Sequence, residues 1–177
     1  MNSSLLARVH EALAAAGIPS ALIGAAALSV HGVSRSTFDQ DLLVMDDRVL
    51  IPQTWFDLHR SATVDIRRGD ADDPLAGVVR LASENERDVD VVVGRHPWQA
   101  ELVAEAEPLT IDGMVIHVAT PAGLVLLKLY AGGTQDLWDI AQLRAAAGPA
   151  LDSAVEARLA VLPHRARDAW RAIVQDR

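Results

Sequence analysis

Apolar residues recur at helical spacing near the start of the chain: Leu6, Val9 and Leu13 fall on one face, Ser3 or Ser4 can cap the first turn, and Gly17 can close the last. Pro19 blocks an immediate return to helix. The short run Ala21-Leu22-Ile23-Gly24 predicts a buried strand, and a short helix over 25–30 follows, ended by Gly32. Further strands are predicted at 41–45, 62–67, 77–81, 89–93 and 114–118, from apolar or alternating runs bounded by turn residues. The pair 77–81 and 89–93 can form a hairpin. A helix or loop around Trp55 to His59 and a helix over 98–106 fill the gaps, and the acidic stretch 68–74 predicts a solvated turn.

From Thr120 onward the pattern is helical only. Thr120 is a good N-cap and Pro121 suits the first helical position. Gly132-Gly133 ends that helix, and Thr134 is expected to cap a second that reaches Gly148. Two more are predicted over 151–159 and 163–174. The order implies an α+β protein: a small mixed twisted sheet flanked by helices over residues 1–119, with a C-terminal helical region, 120–177, packed on it.

Half of the 177 residues are hydrophobic and 23% are charged, enough apolar material for a real core. No cysteine is present, which excludes thiolate catalysis and Cys-ligated metals and suits a reducing compartment. The longest apolar run, 123–130, is interrupted by Lys128 and far too short for a bilayer. Together with an N-terminus lacking a signal-like pattern, this predicts a cytoplasmic protein with no membrane partner. The net charge of −8 disfavours extended contact with a phosphate backbone. It does not disfavour a nucleotide whose charge is offset by metal.

The candidate chemistry lies in three places. Gly24-Ala25 stands where a strand becomes a helix, a junction whose backbone N–H groups suit a phosphate. Asp39 and Asp41 are two apart where a strand is predicted to begin, and on a strand residues two apart share a face. Adjacent carboxylates are costly without a cation between them, and oxygen-only ligands favour a hard ion such as Mg2+. Asp90 lies in the apolar run 89–93 and could supply a third carboxylate, although Asp88 shares its face. Two metal ions so held would suit in-line phosphoryl displacement.

Arg35 and Thr37 precede the pair, and Arg35 could reach a phosphate or pair with a nearby acid. Lys128 is the one charge in an apolar helical run, and Asp136 and Asp139 follow one turn apart. The six histidines are dispersed without metal-ligand spacing, and the four tryptophans are expected to anchor packing. Neither a G-x-S-x-G nor a P-loop motif occurs.

The stretch from Leu22 to Leu28, with His31-Gly32-Val33-Ser34-Arg35-Ser36-Thr37-Phe38-Asp39-Gln40-Asp41-Leu42-Leu43-Val44, resembles the opening of the DNA polymerase β-like nucleotidyltransferases, nearest to bacterial AbiE-type and minimal members. The later run from Leu126 to Ile140 resembles their C-terminal Lys…Asp-x-x-Asp signature. The resemblance covers most of residues 20–145. It implies the nucleotidyltransferase fold and an enzyme that moves a nucleoside monophosphate from a nucleoside triphosphate, ATP among them, to a hydroxyl, releasing pyrophosphate. The acceptor would be a protein, an RNA end or a small molecule, and a toxin or antitoxin partner is one setting for it. The resemblance assigns Asp39, Asp41 and Asp90 to two Mg2+ ions, with Asp90 also helping to deprotonate the acceptor. Gly24 and Ala25 would border the triphosphate with Arg35 and Thr37. Lys128 would touch phosphate or orient Asp136 and Asp139. Ala25 departs from the usual Gly or Ser and provides no hydroxyl, so an alternative is a weakly active or inactive nucleotide-binding protein.

Overall fold

The computed structural model describes residues 3–34, 39–111 and 113–175. Arg35 and Thr37 lie outside the described residues. The chain forms two compact units, one comprising Met1–Ala26 and Ser36–Ala119, the other Ala27–Arg35 and Thr120–Arg177.

The first unit is built on a seven-stranded mixed sheet. Its strands are β1 (Ser20–Ile23), β2 (Asp39–Val44), β3 (Thr63–Arg68), β4 (Gly77–Ala82), β5 (Asp88–Val93), β6 (Glu107–Ile111) and β7 (Met114–Val118), in spatial order β3-β4-β5-β2-β1-β7-β6. β2 and β5 run parallel, β1 and β7 run parallel, and every other neighbouring pair is antiparallel. In central β5 the period of two separates the faces. Val89, Val91 and Val93 are fully buried, whereas Asp88, Asp90 and Val92 are partly open. Each buried valine stabilises the fold by about 1.5–3 kcal/mol relative to exposure.

Helix α1 (Leu5–Ala15) buries Leu5, Leu6, Val9 and Leu13 and packs against β5 and the 3-10 segment Pro52–Leu58. Ser4 is its cap, accepting from the Ala7 N–H at 3.3 Å. Helix α3 (Pro97–Ala104) packs on β1 and β2. The region around Trp55 to His59 is thus the end of that 3-10 segment with His59 as its C-cap, and Trp55, fully buried, donates from Nε1 to the Val49 carbonyl at 2.7 Å.

Two differences from the sequence reading stand out in this unit. β2 starts at Asp39, so both acids of the Asp-x-Asp run are inside the strand. β6 was not anticipated. Its Glu-Pro opening lacks strand character, and the strand survives because it is terminal in the sheet, where the missing N–H of Pro108 costs little.

Helix α2 (Gly24–Val30) starts in the first unit and continues into the second. The second unit contains α4 (Pro121–Ala131), α5 (Thr134–Ala147), α6 (Pro149–Glu156) and α7 (His164–Gln175), and α4 packs against the other three. Thr120 caps α4, accepting from the Gly123 N–H at 3.2 Å, and Gly132 closes it in the left-handed conformation, φ +72°. Thr134 is the first helical residue of α5, and the cap position falls to Gly133. Trp170 is buried beneath the Arg144 guanidinium, 5.5 Å from the ring centroid. Trp138 departs from the expected anchoring role, with 47% of its surface exposed.

Candidate active site

The register of the sheet decides what Asp39, Asp41 and Asp90 can do together. β2 and β5 are parallel neighbours in which Asp39 lies opposite Asp88 and Asp41 opposite Asp90. Directly opposed residues share a face, so all four carboxylates project from the same side of the sheet. This is the side turned away from Val89, Val91 and Val93. The sequence alternatives Asp88 and Asp90 thus share a side, but Asp90 is the one abreast of Asp41.

Gly24 closes one end of this row. β1 pairs with β2 so that Ile23 faces Asp41, and the next residue, Gly24, turns with φ +64°. A Cβ at Gly24 would lie 2.9 Å from Asp41 Cγ and overlap the carboxylate itself. Glycine is required on both counts: the left-handed backbone and the close approach of Asp41. Ala25 is buried, so its methyl group belongs to the packing.

A residue that sequence reasoning missed stands at the other end. Arg80 on β4 faces Asp90. Its Nε donates to Asp90 Oδ1 at 2.8 Å and its Nη2 to Asp90 Oδ2 at 2.7 Å, a bidentate pair. Nη2 also reaches Asp39 Oδ2 at 3.2 Å. The Asp90 carboxylate, first through these hydrogen bonds and then through its charge, raises the Arg80 pKa above its usual value. The available signal was one arginine at an open-face position of the alternating run Val78-Val79-Arg80-Leu81.

Lys128 and Asp139 are brought together within the helical unit. The Lys128 Nζ lies 2.6 Å from Asp139 Oδ2 and 3.1 Å from Asp136 Oδ1, and Asp139 is wholly buried. In the structure one ammonium thus pairs with both acids of the Asp-x-x-Asp run. Asp136 also accepts from the Gly133 N–H at 3.1 Å, which fastens the start of α5.

Comparison with solved structures gives the same architecture. An antigenic nucleotidyltransferase-like protein from Paracoccidioides brasiliensis matches with a TM-score of 0.62 at 17% identity, over 98% of this chain and 87% of that one. The chain has the nucleotidyltransferase fold. The antibiotic-resistance factor ANT(2'')-Ia matches with a TM-score of 0.59 at 15% identity, over 97% of this chain and 91% of that one. The lincosamide antibiotic adenylyltransferase LnuA, solved with lincomycin bound, matches at 0.52 and 13% identity, over 82% of this chain and 99% of that one. No family model and no curated protein matches the sequence.

In this nucleotidyltransferase fold the donor set on the open sheet face consists of oxygen alone, the chemistry of a Mg2+ site. At the Gly24 corner the space a side chain would need is taken by the Asp41 carboxylate, which the glycine lets approach the backbone. By its donor chemistry the set fits divalent ions. As they stand, no three Asp, Glu or His side chains among the described residues converge closely enough to hold one. Asp90 is instead turned to the guanidinium of Arg80. No helix among the described residues is long and apolar enough to cross a membrane.

Proposed function

We propose that the chain transfers a nucleoside monophosphate from a nucleoside triphosphate to a hydroxyl on a small molecule. The observation that carries this reading is the register of β2 and β5, which sets Asp41 abreast of Asp90 with Asp39 on the same face, against the Gly24 corner. Asp39, Asp41 and Asp90 would hold two Mg2+ ions. Bound there, such ions supply positive charge against the oxygens of the triphosphate. Asp90 accepts the proton of the acceptor hydroxyl. The hydroxyl oxygen then bonds to the α-phosphorus, the bond from that phosphorus to the bridging oxygen breaks, and pyrophosphate leaves with the electron pair. The protein accelerates the step mainly by positioning and electrostatics.

Two features favour a small acceptor over a long RNA. A cavity of about 370 Å3 lies over β3 and β4 on the open face and has Arg80 and Asp90 in its wall. The net charge of −8 opposes a polyanion. The structurally similar proteins include an antibiotic-resistance factor and a lincosamide antibiotic adenylyltransferase, which agrees with that choice.

A second reading, a nucleotide-binding protein without turnover, for instance half of a toxin–antitoxin pair, is favoured by one observation. Asp90, the proposed base, is occupied by Arg80. Incubation with each of the four labelled triphosphates, Mg2+ and a panel of aminoglycoside and lincosamide acceptors separates the two. Pyrophosphate release that is lost in Asp39→Ala and Asp41→Asn supports transfer. Nucleotide binding without release, across all four triphosphates, rejects it in favour of the second reading.

A further inference from the structure

We infer that Arg80 is the resident counter-cation of the acid cluster, bridging Asp90 and Asp39 until a divalent ion enters, and that it then passes to Asp65. The inference rests on the reading of Asp39, Asp41 and Asp90 as ion ligands. It explains why three acids that share a face do not converge.

The register lays out the parts in one row. Asp65 on β3 faces Arg80 on β4, Arg80 faces Asp90 on β5, and Asp90 faces Asp41 on β2. From β4 the guanidinium extends over β5 and touches β2, with 2.8 and 2.7 Å bonds to Asp90 and a 3.2 Å bond to Asp39. It therefore stands among four carboxylates of one sheet face, where like charges need a cation. The fork engages both oxygens of Asp90, the same oxygens an ion would use. Through its bond to Asp39 Oδ2 the same guanidinium links acids of β2 and β5.

The pairing can exchange. The Arg80 and Asp39 side chains are 47% and 41% exposed, so water screens their attraction and competes for it. On its other flank Arg80 has Asp65, 49% exposed and joined to Arg67 at 2.9 Å. Asp65, Arg67, Arg80 and Asp90 all line the same cavity, which gives the side chain room to cross. A hard dication binds three converging carboxylates better than a guanidinium does, because it is smaller, doubly charged and suited to oxygen ligands. Arg80 thus acts on the ion site by competition, as a positioning residue.

The experiment is a Mn2+ titration of the full chain at low ionic strength, with free Mn2+ read by electron paramagnetic resonance. Arg80→Gln is expected to bind Mn2+ about tenfold more tightly than the native chain, and Arg80→Lys, which keeps the charge and loses the fork, falls between. Asp65→Asn, which removes the alternative partner, is expected to weaken binding about threefold. In chelator, Arg80→Gln melts below the native protein, and Mn2+ raises its Tm by more. Equal or weaker affinity in Arg80→Gln, or unchanged affinity in Asp65→Asn, overturns the inference. If Asp41→Asn still abolishes binding in that case, the ion-site reading stands without it. If neither the native chain nor Arg80→Gln binds Mn2+, both fall together.

Discussion

A single methyl group at Gly24 tests the corner of the site most directly. Gly24→Ala must either hold a left-handed backbone or push Asp41 away, since φ is +64° and the new Cβ would overlap the carboxylate. The expected loss is about 1–3 kcal/mol in urea unfolding, and, on the proposed ion-site reading, the variant should gain no thermal stabilisation from Mg2+ and nucleoside triphosphate. An unchanged m-value and midpoint would contradict the close approach. Asp139 offers a second test at this scale. Its wholly buried carboxylate is 2.6 Å from the Lys128 ammonium, so Asp139→Ala strands a buried charge and should cost about 3–5 kcal/mol. Lys128→Met with Asp139→Leu removes both charges and should recover most of that loss, as double-mutant unfolding would show. The acids on β2 and β5 were legible from the chain because strands alternate, so Asp39 with Asp41, and Asp88 with Asp90, had to share faces. Arg80 was not. Its position depends on how β4 aligns with β5, which is set at a turn where Asn85 takes φ +62°, and a string of residues does not carry that register.

That same turn ties two elements together. Glu86, in the β4–β5 connection, accepts from the Leu5 N–H at 2.7 Å and from Arg8 Nη2 at 2.8 Å, so it anchors the first turn of α1. The Arg8 hydrogen bond is the main reason its pKa lies below the ordinary 4.5. A carboxylate lowered on folding adds stability that is present above its unfolded value and lost as pH falls through the folded one. Glu86→Gln should therefore flatten the acid limb of Tm against pH from about 4.5 downward and leave the neutral plateau lower. An identical acid limb would remove Glu86 from the account. The acidic turn after β3 is held from outside itself: Arg95 donates to the carbonyls of Asp70, Ala71 and Leu75 at 2.6, 3.2 and 3.1 Å. Arg95→Ala should speed proteolytic cleavage in 69–76 several-fold at little cost in global stability. Elements with strong internal signals were readable in advance, among them α4 with its Thr-Pro start and Gly end. β6 was not, because its existence depends on the neighbour it pairs with more than on its own residues.

At the scale of the whole molecule, the helical unit draws on two distant parts of the chain. Alongside 120–177 it includes Ala27–Arg35, where Ala27, Leu28 and Val33 are buried. A boundary placed at Thr120 by pattern alone could not show this, because the early segment continues a helix begun in the other unit. A fragment of residues 120–177 expressed alone should accordingly show weak, non-cooperative melting by circular dichroism, for want of that apolar cover. A sharp transition equal to that of the full chain would refute this. The two outer strands of the sheet have a consequence of their own. One, β6, carries Glu107 and Pro108, and the other, β3, carries Asp65, Arg67 and Arg68. A proline cannot donate, and charged side chains on an edge strand resist the desolvation that pairing with another chain requires, so neither rim invites another chain to continue the ladder. The molecule is thereby guarded against polymerising through its backbone, and Pro108→Val is where that guard would first fail, as fibrils forming at high protein concentration.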